Sequence, residues 1–236
     1  MTNSLTVIVP FYNEHLYLEE LVKRLVSTKY FVDKFIFVDD GSTDNSVDTL
    51  LKALDEHTLT AEILQKENEG KGSAILRAQS TCSTSHIAIL DADLELDPAE
   101  LINLWRPIRD GQEKASFGFR EFRAHSSYTF RYAKGNRIIS FIYGLVFNVV
   151  VTDVMCGYKV IPKDTFSFSK AFSSGFALEV DIAASLWRLR IQPYECLVSY
   201  KARSRSEGKI IGWKDAILVI GRIIYLRLRF KKTIKK

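Results

Sequence analysis

The sequence predicts an α/β fold: a mostly parallel, Rossmann-like sheet flanked by helices, with a less regular second half. Two observations carry this. Short apolar runs alternate with stretches of helical period through the first half, the pattern of strand–helix–strand units. Polar clusters follow those runs immediately, at the carboxyl ends of the strands, where open α/β sheets bind ligands.

The elements read in order. Leu5–Phe11 is a buried strand. Glu14–Tyr30 carries Leu18, Leu21, Val22, Leu25 and Val26 at helical spacing. Lys34–Asp40 is a second strand, and Gly41 and Ser42 turn the chain. Thr43 or Asp44 caps a helix running to about His57. Ala61–Gln65 is a strand, Lys71–Ser80 a helix and His86–Leu90 a strand; Pro98 opens a further helix at its first turn. Beyond it, Ser116–Arg120 reads as a strand, Tyr128–Val151 as a long apolar helix, Gly175–Arg190 as a helix and Glu195–Lys201 as a strand. The expected organisation is a domain over 1–212, with a ligand and metal half at about 5–120 and an acceptor half at about 121–212. A basic amphipathic helix and tail follow over 213–236.

At 236 residues, 47% apolar and 26% charged, the chain has an ordinary globular composition and length enough for a sizeable core. The formal net charge is +5, with Arg227, Arg229, Lys231, Lys232, Lys235 and Lys236 clustered near the end. Such a tail aids solubility or meets anionic lipid, and points less to nucleic acid. Cys82, Cys156 and Cys196 lack metal-ligand spacing and read as reduced thiols of a cytoplasmic protein. The first residues lack the pattern of a signal peptide, and no apolar stretch reaches spanning length.

Three polar clusters fall on one sheet edge: Asn13–Glu14 after the first strand, Asp39–Asp40 after the second and Asp91–Asp93 after the fourth. On an extended segment, alternate residues point the same way, so Asp91, Asp93 and Glu95 of Asp91-Ala92-Asp93-Leu94-Glu95 are expected to converge. Three such oxygen ligands suit Mg2+ or Mn2+, ions that also hold substrate phosphates. The alternative is an acidic turn capping the helix at Pro98. Asp40 is placed to accept hydrogen bonds from a nucleobase or ribose; the alternative is an Asp–Gly turn before a helix cap. Arg120, Arg131, Arg203, Arg205 and Lys209 form a basic set suited to two phosphates, or else a solvated basic loop. Glu179 is a base or acceptor-site ligand, or a buried partner of Arg203 or Arg205. The four histidines show no ligand spacing.

VIVPFYNE (Val7–Glu14), VDDGSTDNS (Val38–Ser46), NEGKGSA (Asn68–Ala74) and DADLELDP (Asp91–Pro98) resemble, in order and spacing, the signatures of the family 2 glycosyltransferases. The resemblance implies the GT-A fold, a nucleotide-diphosphate-sugar donor and a divalent metal. It implies that Pro10, Tyr12, Glu14, Val38 and Asp40 line the nucleoside pocket, with Asn13 beside them. Lys71 would lie near ribose or phosphate, and Asp91, Ala92 and Asp93 at the metal and diphosphate. Within the family, GFR (Gly118–Arg120), TDVMCGYKV (Thr152–Val160), GFALEVDI (Gly175–Ile182) and SYKARSRSEGK (Ser199–Lys209) resemble the dolichyl-phosphate mannosyltransferase and polyprenyl-phosphate glycosyltransferase branch.

That branch implies an inverting hexosyl transfer, of GDP-mannose or UDP-glucose type, to a polyprenyl phosphate. Asp93, Arg120, Arg203 and Lys209 would carry the reaction. A lipid phosphate is already an anion and requires no general base; a sugar hydroxyl requires one, with Asp153, Glu179 or Asp181 as candidates. At about 100° per residue, Trp213–Phe230 puts Lys214, Asp215, Arg222, Tyr225 and Arg229 on one face of an otherwise apolar helix. This suits a peripheral helix at the cytoplasmic membrane face, or oligomer packing. The rival readings are transfer to a saccharide hydroxyl in glycan assembly, a nucleotidyltransferase, and a non-catalytic sugar-nucleotide-binding module.

Overall fold

The alternation of the first half is what the chain adopts in a computed structural model, which describes residues 3–120, 130–168, 175, 177–203 and 213–234. Seven strands form one sheet: β1 (Leu5–Phe11), β2 (Lys34–Asp39), β3 (Glu62–Gln65), β4 (His86–Ile89), β5 (Ser116–Arg120), β6 (Lys159–Pro162) and β7 (Tyr194–Val198). Their spatial order is β3-β2-β1-β4-β6-β5-β7. All pairings are parallel except those of β6, which runs against both β4 and β5. β6 has no counterpart in the sequence reading: Lys159-Val-Ile-Pro is short and ends in proline, and its first two residues close the segment Thr152–Val160.

The helices are α1 (Leu18–Leu25), α2 (Ser46–Glu56), α3 (Lys71–Thr81), α4 (Leu101–Arg109), α5 (Phe130–Phe147), α6 (Leu178–Arg188) and α7 (Trp213–Ile234). α1 begins four residues after the expected Glu14, because the backbone of Asn13 takes a left-handed turn at φ 55°. Alternate strand residues feed two cores, as a pleated sheet requires. Ile8, Ile36, Ile87 and Ile89 pack with α3, α5, α6 and α7. Val7, Val9, Phe37 and Ala88 pack with α1, α2 and α4. β1 lies between β2 and β4, so the chain reverses direction across the sheet there. The crevice at the carboxyl ends of β1, β2 and β4 is the switch point where such sheets bind ligands.

The apolar circumference of α7 is divided. Val219, Ile223, Leu226 and Phe230 are buried in the core shared with α5 and α6. Arg222, expected on the exposed polar face, instead places Nε 2.7 Å from Oδ1 of the buried Asp181 on α6. Ile217, Leu218, Ile224, Tyr225 and Leu228 remain exposed. Two adjacent positions therefore separate core from surface. Ile223→Ala should lower unfolding stability by roughly 2–4 kcal/mol in urea titrations, and Ile224→Ala by well under ~1 kcal/mol. Equal effects would contradict the packing of this helix.

Candidate active site

The first acidic segment departs from the extended geometry expected of it. Residues 92–95 form a turn, and Leu94 sits at φ 56°, a conformation that breaks the alternation of an extended strand. Glu95 consequently turns away from a common point with its neighbours. Its Oε2 accepts from the Tyr200 hydroxyl at 2.6 Å and its Oε1 from the Arg203 backbone N–H at 2.8 Å. Among the described residues no three metal-competent side chains come together. The expected ligand trio is therefore corrected to a pair, Asp91 and Asp93, with Glu95 fastening the segment 200–203 onto the turn. Asp97 does cap the next turn, accepting from Ala99 N–H at 3.0 Å.

Two cations hold the acids. Arg203 lays Nη1 3.1 Å from Glu14 Oε2 and Nη2 3.1 Å from Asp93 Oδ2, with its guanidinium over the Tyr17 ring. Lys71, at the start of α3, places Nζ 2.7 Å from Asp91 Oδ1 and 3.1 Å from Glu179 Oε1. Even so, burial, Asp91 and Glu95 together push the Asp93 carboxyl up from 3.8 to about 7 against the pull of Arg203. Burial also raises Glu14. The cluster thus has room for more positive charge. Two carboxylates at a strand end fit Mg2+ or Mn2+, which take one or two carboxylates and complete their shell with water and substrate phosphate. Asp91 and Asp93 would hold such an ion.

The second acidic segment divides its labour in a way the motif conceals. Asp40 is buried, and its oxygens accept from Lys66 Nζ at 2.7 Å, Glu69 N–H at 3.2 Å and Gly70 N–H at 2.7 Å. It anchors the loop before α3 rather than presenting a free carboxylate to a nucleobase. Gly41, at φ 81°, lies so close to that loop that a Cβ would stand 2.8 Å from Asn68 N. Beside them is an open cleft of about 590 Å3 lined by Asp39, Gly41, Ser42, Gln65, Lys66 and Asn68, together with Glu67. Asp39 accepts from Ser42 N–H at 2.8 Å and is the acid that lines this cleft. The sequence offered no reason to choose it over Asp40, because the partners of Asp40 lie 26–30 residues away.

Pro10 and Val38 are paired neighbours on β1 and β2, buried just inside the strand ends. Tyr12 is exposed at the rim. The Asn13 side chain accepts from Thr43 N–H at 2.8 Å, joining the first cluster to the second. Ala92 is buried. Arg120, expected as a phosphate ligand, forks its guanidinium onto Asp153 at 2.7 and 2.9 Å, both side chains nearly enclosed. While Arg203 pairs with Glu14 and Asp93, Glu179 pairs with Lys71 and Lys159. Burial pushes its carboxyl up, but the two ammonium groups outweigh burial and hold it below the usual carboxylate range. Arg205 and Lys209, and the side chain of Arg131, lie outside the described residues.

The paired acids thus stand at the switch point of an α/β sheet covered on both faces, the place where such folds bind ligands. The glycosyl transferase family 2 sequence profile matches residues 6–167, and the chain belongs to that family. It is a glycosyltransferase of GT-A fold. Solved structures of glucosyl-3-phosphoglycerate synthase from Mycobacterium tuberculosis are similar to it. One superposes with a TM-score of 0.70 at 16% identity, covering 97% of this chain and 80% of that one. Another, in complex with Mn2+, uridine-diphosphate-glucose and glycerol 3-phosphate, gives 0.71 over the same shares at 16% identity.

The raised Asp93 carboxyl sets a pH dependence. A divalent ion must displace its proton below about 7, so Mn2+ affinity should rise with pH through that value. A single displaced proton changes affinity by about tenfold per pH unit on the acid side. The folded state also holds this proton more tightly than the unfolded chain does. That contribution to stability is complete below 3.8 and is lost as pH rises toward about 7. Calorimetry of Mn2+ with nucleoside diphosphate from pH 5.5 to 8 tests the first effect; a flat profile would contradict it.

Proposed function

We propose that the chain moves a hexose from a nucleoside-diphosphate sugar, of GDP-mannose or UDP-glucose type, to the phosphate of a polyprenyl lipid at the cytoplasmic membrane face. The observation that carries this reading concerns bases. A hydroxyl acceptor needs one, and each acid considered for that role is already in an ion pair. Asp153 is forked by Arg120, Glu179 lies between Lys71 and Lys159, and Asp181 is bound to Arg222. An acceptor phosphate is itself the nucleophile and needs no proton removed.

In this reading a phosphate oxygen donates its electron pair to the anomeric carbon. The bond from that carbon to the diphosphate oxygen breaks, and its electron pair departs with the nucleoside diphosphate. A single displacement inverts the anomeric configuration. The divalent ion, held by Asp91 and Asp93, would neutralise charge on the leaving diphosphate. Lys71 supplies a second cation there, and Arg203 becomes available as Asp93 is taken up. The nucleoside lies along the cleft that Asp39, Lys66 and Asn68 line.

Lipid access is supported by the exposed residues of two packed helices. Ile138, Phe141 and Leu145 of α5 and Leu218, Ile224 and Leu228 of α7 face outward, Phe141 and Leu145 more than 70% exposed. No described helix is long and apolar enough to cross a membrane. Apolar strips near basic residues suit reversible seating on an anionic surface.

Transfer to a hydroxyl is the second reading, favoured by the similar structures that contain phosphoglyceric acid as well as Mn2+ and a uridine nucleotide. The deciding experiment offers labelled GDP-mannose and UDP-glucose with polyprenyl phosphate in vesicles, phosphoglyceric acid, or oligosaccharides. The expected product is a solvent-extractable glycosyl phosphate of inverted configuration. Leu218→Glu/Leu228→Glu should release the protein from anionic vesicles. Transfer to a soluble hydroxyl, with none to polyprenyl phosphate, would overturn the lipid reading.

A further inference from the structure

Behind the site acids runs a chain of alternating charges, buried at Lys159 and Glu179 and half-buried at Lys71 and Asp91. Lys159 of β6 is fully enclosed, its Nζ held by the carbonyls of Val154 at 3.2 Å and of Cys156. The same Nζ lies 2.9 Å from Glu179 Oε2. Glu179 Oε1 lies 3.1 Å from Lys71 Nζ, which in turn stands 2.7 Å from Asp91 Oδ1. Three separate elements, β6, α6 and α3, thus contribute one continuous row ending on a site acid. Gly157 closes over its outer end, where a Cβ would stand 2.8 Å from Asp91 Oδ2 and 3.5 Å from Lys71 Nζ.

The row has a direction. Lys159 cannot move, because backbone carbonyls fix it, and it therefore fixes Glu179. Glu179 then shares Lys71 with Asp91. Without that share, the whole charge of Lys71 would fall on Asp91 and compete with any cation approaching the same carboxylate. We propose that Glu179 is a positioning residue: it draws Lys71 partly off Asp91, so that Asp91 can accept a divalent ion while Lys71 stays in place for the diphosphate. Partners behind a metal ligand commonly alter metal affinity by about ten- to a hundredfold. The inference rests on Asp91 being a metal ligand, and the experiment separates the two.

Free Mn2+ is measured by electron paramagnetic resonance over the unaltered protein, Glu179→Gln, Lys71→Met and the double variant, with no sugar donor present. Glu179→Gln should weaken Mn2+ binding about tenfold. Lys71→Met should bind Mn2+ more tightly than the unaltered protein. The double variant should recover the affinity of Lys71→Met, because the competitor is gone; a merely structural role for Glu179 would leave the double variant as weak as Glu179→Gln. Glu179→Asp, which keeps the charge, should lie closer to the unaltered protein than Glu179→Gln. Unchanged affinity in Glu179→Gln, or no recovery in the double variant, overturns the inference. If Glu179→Gln does not fold, Lys71→Met decides alone: affinity equal to or weaker than the unaltered protein overturns it. No Mn2+ binding by the unaltered protein overturns the metal reading itself.

Discussion

Electrostatic repulsion at one edge of the sheet is the constraint to which the rest of the structure answers. Parallel strands end side by side, so Glu14 after β1 and Asp91 and Asp93 after β4 are brought to one edge of the sheet, where Asp91 and Glu95 both act on the Asp93 carboxyl. Such a group of carboxylates is unfavourable unless cations reach it. They arrive from far along the chain. Arg203 bridges Glu14 and Asp93 across 189 and 110 residues, and Lys71 meets Asp91 from the start of α3. The first half thus supplies one counter-charge itself, Lys71, and the less regular second half brings back the other, Arg203.

This division explains which features were legible in the sequence. The parallel half was: β1, β2, β4 and their helices follow from apolar runs, helical periodicity and turn residues, all local signals. The position of the site was legible too, because strand ends are fixed once strands are. What could not be read were pairings made at long range. Asp40 reads as a free acid until Lys66 and the Glu69–Gly70 backbone fold over it. Arg120 reads as a phosphate ligand until Asp153 arrives from beyond α5. Glu95 reads as a metal ligand only if residues 91–95 are extended, and the positive φ of Leu94 forbids that. Lys159 sat inside a quoted motif, yet nothing in its neighbourhood announced a buried ammonium.

The acceptor side shows the same logic with a different outcome. Three of its acids stand in ion pairs: Asp153 with Arg120 of β5, Glu179 of α6 with Lys159 of β6, and Asp181 of α6 with Arg222 of α7. α7 contributes half its apolar surface to the core and leaves the other half outward. A helix that is both a core element and an exposed apolar surface couples any membrane contact directly to α6, which carries Glu179.

A divalent ion accompanying the donor is expected to take Arg203 off Asp93 and to share Asp91 with Lys71. Anomalous scattering at the manganese edge, from crystals containing Mn2+ and a nucleoside diphosphate, tests it most directly. The account predicts one peak against these two carboxylates, with Arg203 no longer bonded to Asp93. Bound nucleotide in the crevice with no peak there, and with Arg203 still on Asp93, would contradict it.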